Sequence, residues 1–225
     1  MDSFKIATYN IWKNDGDFPK RIYEIPSILS DIDIVCFQED YEDKEFCSSD
    51  IINKKLKKIK ISTITRKKKR DDKLSSSNLT ILSAYPIKLL DEIYFKKDED
   101  EQRACQFCEI SIDNKKIILA NTHLCHISNK NREKQIKKIL KKMENFKGDI
   151  YLLCGDLNTT PNSKEIKKID KSFISKNIES TYFNGDILNY IFIKSKLDLK
   201  IKPLIIPSKL SDHYCLINKI GLKNK

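Results

Sequence analysis

A chain of 225 residues holds one sizeable domain or two small ones, and 40% apolar with 33% charged residues fits a soluble protein with a filled core. No apolar run approaches the roughly 20 residues that span a bilayer, and Met1-Asp2-Ser3 opens acidic ahead of a stretch too short for a secretory leader. The net charge of +11 suits a polyanion such as nucleic acid or an acidic membrane surface, although lysine supplies most of it in an isoleucine- and asparagine-rich chain, the mix an AT-rich genome imposes.

Strands alternate with helices along the chain. Phe4 to Asn10 reads as a short apolar strand, and Phe18 to Ser30 carries Ile22, Ile25, Ile28 and Leu29 at helical spacing, with Pro26 as a flaw. "DIVCFQ", Asp33 to Gln38, is a buried strand; Ser49 to Ile59 is a helix with a lysine-covered face; Lys60 to Thr65 is a strand. "RKKKRDDKLSSS" reads as the clearest loop in the sequence. Strands follow at Leu79 to Ser83, Leu89 to Phe95, Ala104 to Ile112 and Lys116 to Asn121, a succession closer to antiparallel meanders than to strict βαβ alternation. Asn129 to Phe146 is the longest helix, with Ile136, Ile139, Leu140 and Met143 as its apolar stripe. A strand at Ile150 to Cys154, a short helix at Ser163 to Ile169 capped by Ser163, and strands near Ile187 to Ile193 and Tyr214 to Asn218 complete the chain. The expectation is a single α/β domain over residues 1–225 with mixed sheets. Only five glycines are present and none forms a Gly-rich loop after a strand, which disfavours nucleotide folds that cradle phosphate that way.

Seven scattered cysteines, an odd number with no secretory context, point to reduced thiols. Cys105 and Cys108 form a lone CxxC, and a spacing of three on a strand sends the two sulfurs to opposite faces. The cluster His123, Cys125 and His126 meets the same objection, so zinc is not expected.

The strand ends carry the chemistry. "TYNIW" ends on Asn10, "CFQED" on Gln38, Glu39 and Asp40, "LANTHLCH" delivers His123 past Asn121, and "CGDLN" delivers Asp156 and Asn158. "SKLSDHYCL" places Asp212 and His213 just before the last strand. On a strand Asp156 and Asn158 share a face, which suits catalysis, while an Asx-turn leaving the sheet is the plain alternative. Phosphodiester cleavage asks for this inventory. A hard cation such as Mg²⁺ takes one or two carboxylates plus water, a carboxylate orients the attacking water, and uncharged donors stabilise the oxyanion. Glu39 and Asn10 suit the metal, Asp156 the water, Asn158 the oxyanion; His213 donates to phosphate with Asp212 beside it near the metal.

In this order the motifs resemble the endonuclease/exonuclease/phosphatase superfamily, the DNase I-like fold. They are "TYNIW", "DIVCFQE", "NLTILSAYPI", "NTHL", "GDLNTTP" and "SDHY", running from Thr8 to Tyr214. The resemblance implies an α/β four-layer sandwich of two mixed β-sheets flanked by helices, with the site at one edge. It also implies cleavage of phosphoester bonds that depends on Mg²⁺ or Mn²⁺, with His123 among the catalytic groups.

Three departures from the superfamily pattern stand out. The Asp usual before "Y-I-F", which holds the catalytic histidine as an imidazolium, is Asn189; an amide fixes the ring without stabilising its charge. Asp186, one strand period away, is a conceivable substitute. The usual Gly before the "ILS-YPI" motif is Asn78, a residue that tolerates positive φ. Asp40 follows Glu39 where an apolar residue is usual, and is expected to face solvent, the alternative being added negative charge near the metal.

Arg103 falls where many members place a phosphate contact, the alternative being an ion pair with Glu99 or Glu101. Trp12 flanks Asn10 as a wall or stacking platform, and His126 reads as a solvated loop histidine. Arg103, Trp12 and Asn78 are thus the substrate-binding candidates.

The opening "NIWKNDGDFPKRIYEIPSILSDIDIVCFQE" resembles the tyrosyl-DNA phosphodiesterase-like branch, and the basic segment Lys54 to Arg70 could track a phosphate backbone, face solvent, or resemble a nuclear localisation patch. The expectation is a nuclease or DNA-end-processing phosphodiesterase, monomeric, intracellular and cytoplasmic, or nuclear in a eukaryote. The alternatives are a phosphoesterase of lipid head groups or inositol phosphates, and a nucleic-acid-binding pseudoenzyme silenced at Asn189.

Overall fold

The computed structural model describes residues 3–70, 73–96 and 101–222. Eleven strands and five helices alternate in it. The first sheet has the order β10-β11-β1-β2-β4-β3, from β10 (Leu199–Ile206), β11 (Cys215–Leu222), β1 (Ser3–Asn10), β2 (Ile34–Glu42), β4 (Lys73–Ser83) and β3 (Ile59–Arg70). The second has the order β5-β6-β7-β8-β9, from β5 (Ile87–Tyr94), β6 (Ala104–Ile112), β7 (Lys115–His123), β8 (Ile150–Asp156) and β9 (Asn189–Ser195). Each sheet contains one parallel pair, β1 with β2 and β7 with β8, and is otherwise antiparallel.

Period-two alternation sorts the apolar side chains into layers. Ile6, Ile34, Cys36 and Ile81 of one sheet face Cys108, Leu119, Leu152 and Ile191 of the other in the central core. Behind the first sheet, Tyr9, Val35 and Phe37 meet Ile22 of α1 (Lys20–Glu24), Leu29 of α2 (Pro26–Leu29) and Ile52 of α3 (Ser48–Leu56). Behind the second, Phe107, Leu153 and Phe192 meet Ile136 and Ile139 of α4 (Asn129–Met143) and Ile166 of α5 (Lys164–Ile169). The result is the expected sandwich of two mixed sheets flanked by helices. Cys105 and Cys108 do face opposite layers, and all seven cysteines are free. No described helix is long and apolar enough to cross a membrane.

Several expectations need correction. The stretch read as a loop is a β-hairpin: β3 runs on to Arg70 and β4 begins at Lys73, paired Lys67 with Ser76 and Lys68 with Ser75. Cationic residues disguised it, because this end of the hairpin has no core to face on either side. The helix expected from Phe18 to Ser30 breaks at Ile25, where Pro26 cannot donate a backbone hydrogen bond. Helix α3 stops at Leu56 because Lys57 turns left-handed, φ 53°, and its N–H closes on Asn53 O at 2.8 Å. Strand β10 was not anticipated. Its lysine-alternating "LKIKPLII" contains Pro203 and pairs with β11 alone, as an edge strand. Ser163 caps α5 as expected, accepting from Ile166 N at 3.2 Å.

Topology explains why distant motifs meet. Parallel β1 and β2 end together, as do β7 and β8; antiparallel β9 starts where β8 stops, pairing Asn189 with Asp156. Residue 212 and its neighbours precede β11 beside the end of β1, and Ser211 Oγ donates to Asn10 O at 2.8 Å. Beneath this edge a polar bridge ties the sheets: fully buried Gln38 Nε2 donates to Asn121 Oδ1 at 2.8 Å, and Asn121 Nδ2 to Phe37 O at 3.1 Å. Asn121→Ala strands part of that bridge without solvent. The expected loss is about 1–3 kcal/mol, read as a lower urea midpoint with unchanged slope.

Candidate active site

The carboxylate of Asp156 sits at the centre, 1% exposed. Its Oδ2 accepts from Asn10 Nδ2 at 3.0 Å and stands 3.4 Å from His123 Nε2 and 3.5 Å from His213 Nε2. Its Oδ1 accepts from Asn158 N at 2.9 Å. That last contact is an Asx-turn, with Asn158 at φ 49°. The two readings of "GDLN" therefore coexist, since the turn that leaves the sheet is what fixes the carboxylate. Asn158 Nδ2 spends one hydrogen on Leu124 O at 3.0 Å, and an amide nitrogen carries two. Gly155 permits this packing. At φ 145° a Cβ there would lie 1.9 Å from Thr122 O, inside the β7 backbone.

Glu39 is aimed by a bulge. The β2–β4 register breaks between Phe37 and Asp40, with Glu39 in the left-handed region at φ 57°. Its carboxylate lies 3.9 Å from His123 Nδ1 and 3.7 Å from Lys13 Nζ. Burial raises the Glu39 pKa, Lys13 opposes the rise, and the Asp156 charge adds to it. His123 is pushed well below the usual histidine range by burial first, then by Arg103 and Lys13, so the ring is neutral at neutral pH. Of the cations, Lys13 is lowered by burial, an effect Glu39 offsets.

His213 Nδ1 meets Asn189 Oδ1 at 2.7 Å, while Asn189 Nδ2 is buried without a hydrogen-bond partner among the described residues. The amide does hold the ring. Asp186 does not replace it, since its carboxylate accepts from Asn184 Nδ2 at 2.8 Å. Tyr182 stacks against His213 at 4.6 Å between ring centroids. Its hydroxyl pKa is raised by burial and then by Asp212, Asp156 and Glu39, which places the three carboxylates in one electrostatic neighbourhood. Asp212 Oδ1 stands 3.2 Å from Ser211 Oγ, whose one hydrogen has the shorter contact to Asn10 O, and burial raises its carboxyl against the lowering effect of His213.

The residues partly fit a hard cation. No three His, Cys, Asp or Glu side chains among the described residues converge closely enough to hold an ion by themselves. Mg²⁺ does not need them, because one or two carboxylates and retained waters suffice. Glu39 supplies such a carboxylate, and the charge it shares with Asp156 is what a cation relieves. Asn10 is more a positioning group than expected: its Oδ1 accepts from Trp12 N at 3.0 Å while its Nδ2 serves Asp156.

Two candidates fall outside this group. Asn78 lies in extended β4, 1% exposed, and gives Nδ2 to Glu42 Oε2 at 2.7 Å; it needs no positive φ and has no access to a substrate. Asp40 is fully buried instead of solvent-facing. It accepts from Ser49 N at 2.9 Å and Thr80 Oγ1 at 2.5 Å, fastening α3 to the first sheet. Trp12, φ 55°, lines the loop after β1 under the Arg21 guanidinium, 5.5 Å from its ring. Arg103 reaches Glu101 at 3.5 Å and exposed His126 at 3.0 Å. Glu99, its other suggested partner, lies outside the described residues.

Sequence reasoning missed Arg21 and Lys13, and it placed Glu101 only as a partner of Arg103 and Arg66 only within a basic segment. Buried Arg21 donates to the carbonyls of Ile11, Trp12, Lys13, Asp15 and Leu210, and so holds the loop with two successive left-handed residues, Trp12 and Lys13. Glu101 gathers Lys13, Arg66 and Arg103. Only Arg21 had a signal, an arginine among lysines in a short helix; the rest depend on contacts between distant segments.

A family model described as Endonuclease/Exonuclease/phosphatase family matches residues 7–213. No curated protein sequence matches significantly. Among solved structures, an endonuclease/exonuclease/phosphatase from Bacteroides vulgatus superposes with a TM-score of 0.79 at 17% identity, covering 99% of this chain and 100% of the other. The human Nocturnin catalytic domain with bound sulfate gives 0.77 at 18%, over 99% and 94%. A Bacteroides thetaiotaomicron mannosyl-6-phosphatase gives 0.72 at 16%, over 98% and 100%. At these identities the likeness is one of fold.

Proposed function

Because the chain belongs to the endonuclease/exonuclease/phosphatase family, whose members are hydrolases of phosphoester bonds, we propose that it is a divalent-metal-dependent phosphodiesterase acting on nucleic acid, as a nuclease or DNA-end-processing enzyme. One observation carries this reading: Asn10, His123 and His213, from three separate segments, all face the same buried oxygen of Asp156. A structural carboxylate needs donors, but it does not need two imidazoles at the open edge of a sandwich.

In this reading residues 1–225 form one catalytic unit. Asp156 orients the attacking water, accepting its proton as the bond to phosphorus forms. The second Asn158 Nδ2 hydrogen, neutral His123 and His213, its ring fixed by Asn189, donate to phosphoryl oxygens, and the leaving oxygen takes its proton from solvent. Glu39, with Asn10 and Asp212 near it, would hold Mg²⁺ or Mn²⁺, which supplies charge neutralisation to the phosphoryl group. Arg103 adds positive charge at the cleft, and Trp12 walls it.

Asn189 favours a second reading, a nucleic-acid-binding protein with little or no turnover. One panel separates them: purified protein with Mg²⁺, Mn²⁺ or EDTA against bis(p-nitrophenyl) phosphate, single-stranded DNA and RNA, 5′-tyrosyl DNA, abasic duplex, sphingomyelin and inositol phosphates. Cleavage of nucleic acid that stops with EDTA and returns with Mn²⁺ is expected. Turnover confined to sphingomyelin or inositol phosphates, or indifferent to EDTA, overturns the proposal.

A further inference from the structure

Beside the candidate active site, on the hairpin side, lies a second cavity of about 270 Å³. Its walls include Lys13, Arg66, Lys68, Tyr41, Ser77 and the single carboxylate Asp15. Three cations face Asp15 in the lining, with Glu101 and Glu39 paired to two of them from outside it. Lys13 belongs to both places, since its Nζ is 3.7 Å from Glu39 while its side chain lines this cavity. Arg66 and Lys68 share one face of β3, two residues apart and hence about 6.6 Å along the strand. Arg66 pairs with Ser77 next to the last β2 partner, Glu42 with Ser76, and Lys68, paired with Ser75, lies just past it.

One carboxylate in this region joins cations from three separate elements. Glu101, whose side chain is 12% exposed, draws in Lys13 at 3.2 Å, Arg103 at 3.5 Å, and Arg66. These cations come from the loop after β1, the start of β6, and β3. A lone carboxylate gathering guanidinium and ammonium groups from separate elements imitates a phosphate in the same position.

We infer that Lys13, Arg66 and Lys68 form a second anion subsite, which takes the phosphate next to the scissile one on a single-stranded nucleic acid, and that Glu101 competes with that phosphate for Lys13 and Arg66. This rests on the nucleolytic reading above, and it adds a substrate requirement: more than one phosphate on an extended strand. A hairpin face with cations at a regular rise suits such a strand, whereas a head group with one phosphate leaves the subsite unused. The hydroxyl of Tyr41 is committed to Asp43 Oδ2 at 2.8 Å, so the cations carry the recognition.

The test is binding of fluorescein-labelled pentathymidylate by fluorescence anisotropy in EDTA, which reads the subsite without turnover. Arg66→Gln combined with Lys68→Gln is expected to weaken binding at least tenfold and to flatten the log Kd against log salt slope by about 0.7, the loss of one neutralised phosphate. Glu101→Gln is expected to tighten binding about threefold or more, a change that misfolding does not produce. Lys137→Gln with Lys138→Gln, exposed on α4 across the second sheet, serves as the charge-matched control. A similar loss in that control assigns binding to diffuse charge and overturns the inference, as does an unchanged or weaker Glu101→Gln. Hydrolysis of bis(p-nitrophenyl) phosphate, run in parallel, keeps the two ideas apart. Binding that follows the subsite pattern without hydrolysis removes the enzyme reading alone. Hydrolysis with binding indifferent to Arg66 and Lys68 removes the subsite alone.

Discussion

Asp156→Asn is expected to lower kcat by on the order of 10³-fold or more while the protein stays folded. The substitution keeps shape and volume but removes the charge, and it breaks the pattern of donors around the group. As a carboxylate, Asp156 has one oxygen for Asn158 N and another for Asn10 Nδ2, with both imidazole Nε2 atoms beside it. An amide offers one oxygen. Either it serves Asn158 and turns its NH₂ against Asn10, or it serves Asn10 and loses the turn. The position of a bound water would shift in both cases, and the amide is no base. Steady-state hydrolysis with Mn²⁺ reads the loss, and a thermal melt shows whether the sandwich survives. A variant that keeps more than a tenth of the wild-type kcat removes Asp156 from the centre of the chemistry.

The same residue shows what could be read from the chain beforehand. Asp156, His123 and His213 were legible because apolar strands that end in polar side chains leave a period-two signature, and the topology brings parallel strand ends to one edge. Glu39 was legible as a strand-end carboxylate, but the bulge that aims it was not, because an extra residue leaves no trace in apolar spacing. Asp40 shows the cost: with the bulge omitted, alternation misplaces the next side chain, and a buried anchor of α3 reads as solvent-facing. Glu101 and Arg66 could not be paired from sequence, since Arg66 is on β3 while Glu101 precedes β6 of the other sheet, and their contact depends on how those sheets close. The hairpin and β10 were obscured for another reason. Edge strands with lysine on the open face, or with Pro203, lack the apolar content that marks a strand.

Asn189→Asp is the informative gain-of-function change. Asn189 Oδ1 accepts from His213 Nδ1 at 2.7 Å, so an aspartate oxygen in the same place needs no rearrangement, and the ring keeps its orientation. What changes is charge. With Nδ1 bonded to Asn189, the other nitrogen, Nε2, faces Asp156 Oδ2 at 3.5 Å, and only a doubly protonated ring donates in both directions. An amide dipole supports that cation weakly; a carboxylate supports it strongly, as an opposite charge within about 4–6 Å favours the ionised form. If stabilisation of the phosphoryl oxygens by His213 limits turnover, kcat is expected to rise about 10- to 100-fold. The cost falls on stability. Asn189 is fully buried and its Nδ2 already lacks a partner, so the second oxygen of the new carboxylate inherits a site without a donor. A lower melting temperature with a higher rate is therefore the expected pair of results, and neither folding nor general surface charge produces that combination. A variant that melts lower with no gain in rate would assign Asn189 to packing alone and favour the reading in which this chain binds nucleic acid with little or no turnover.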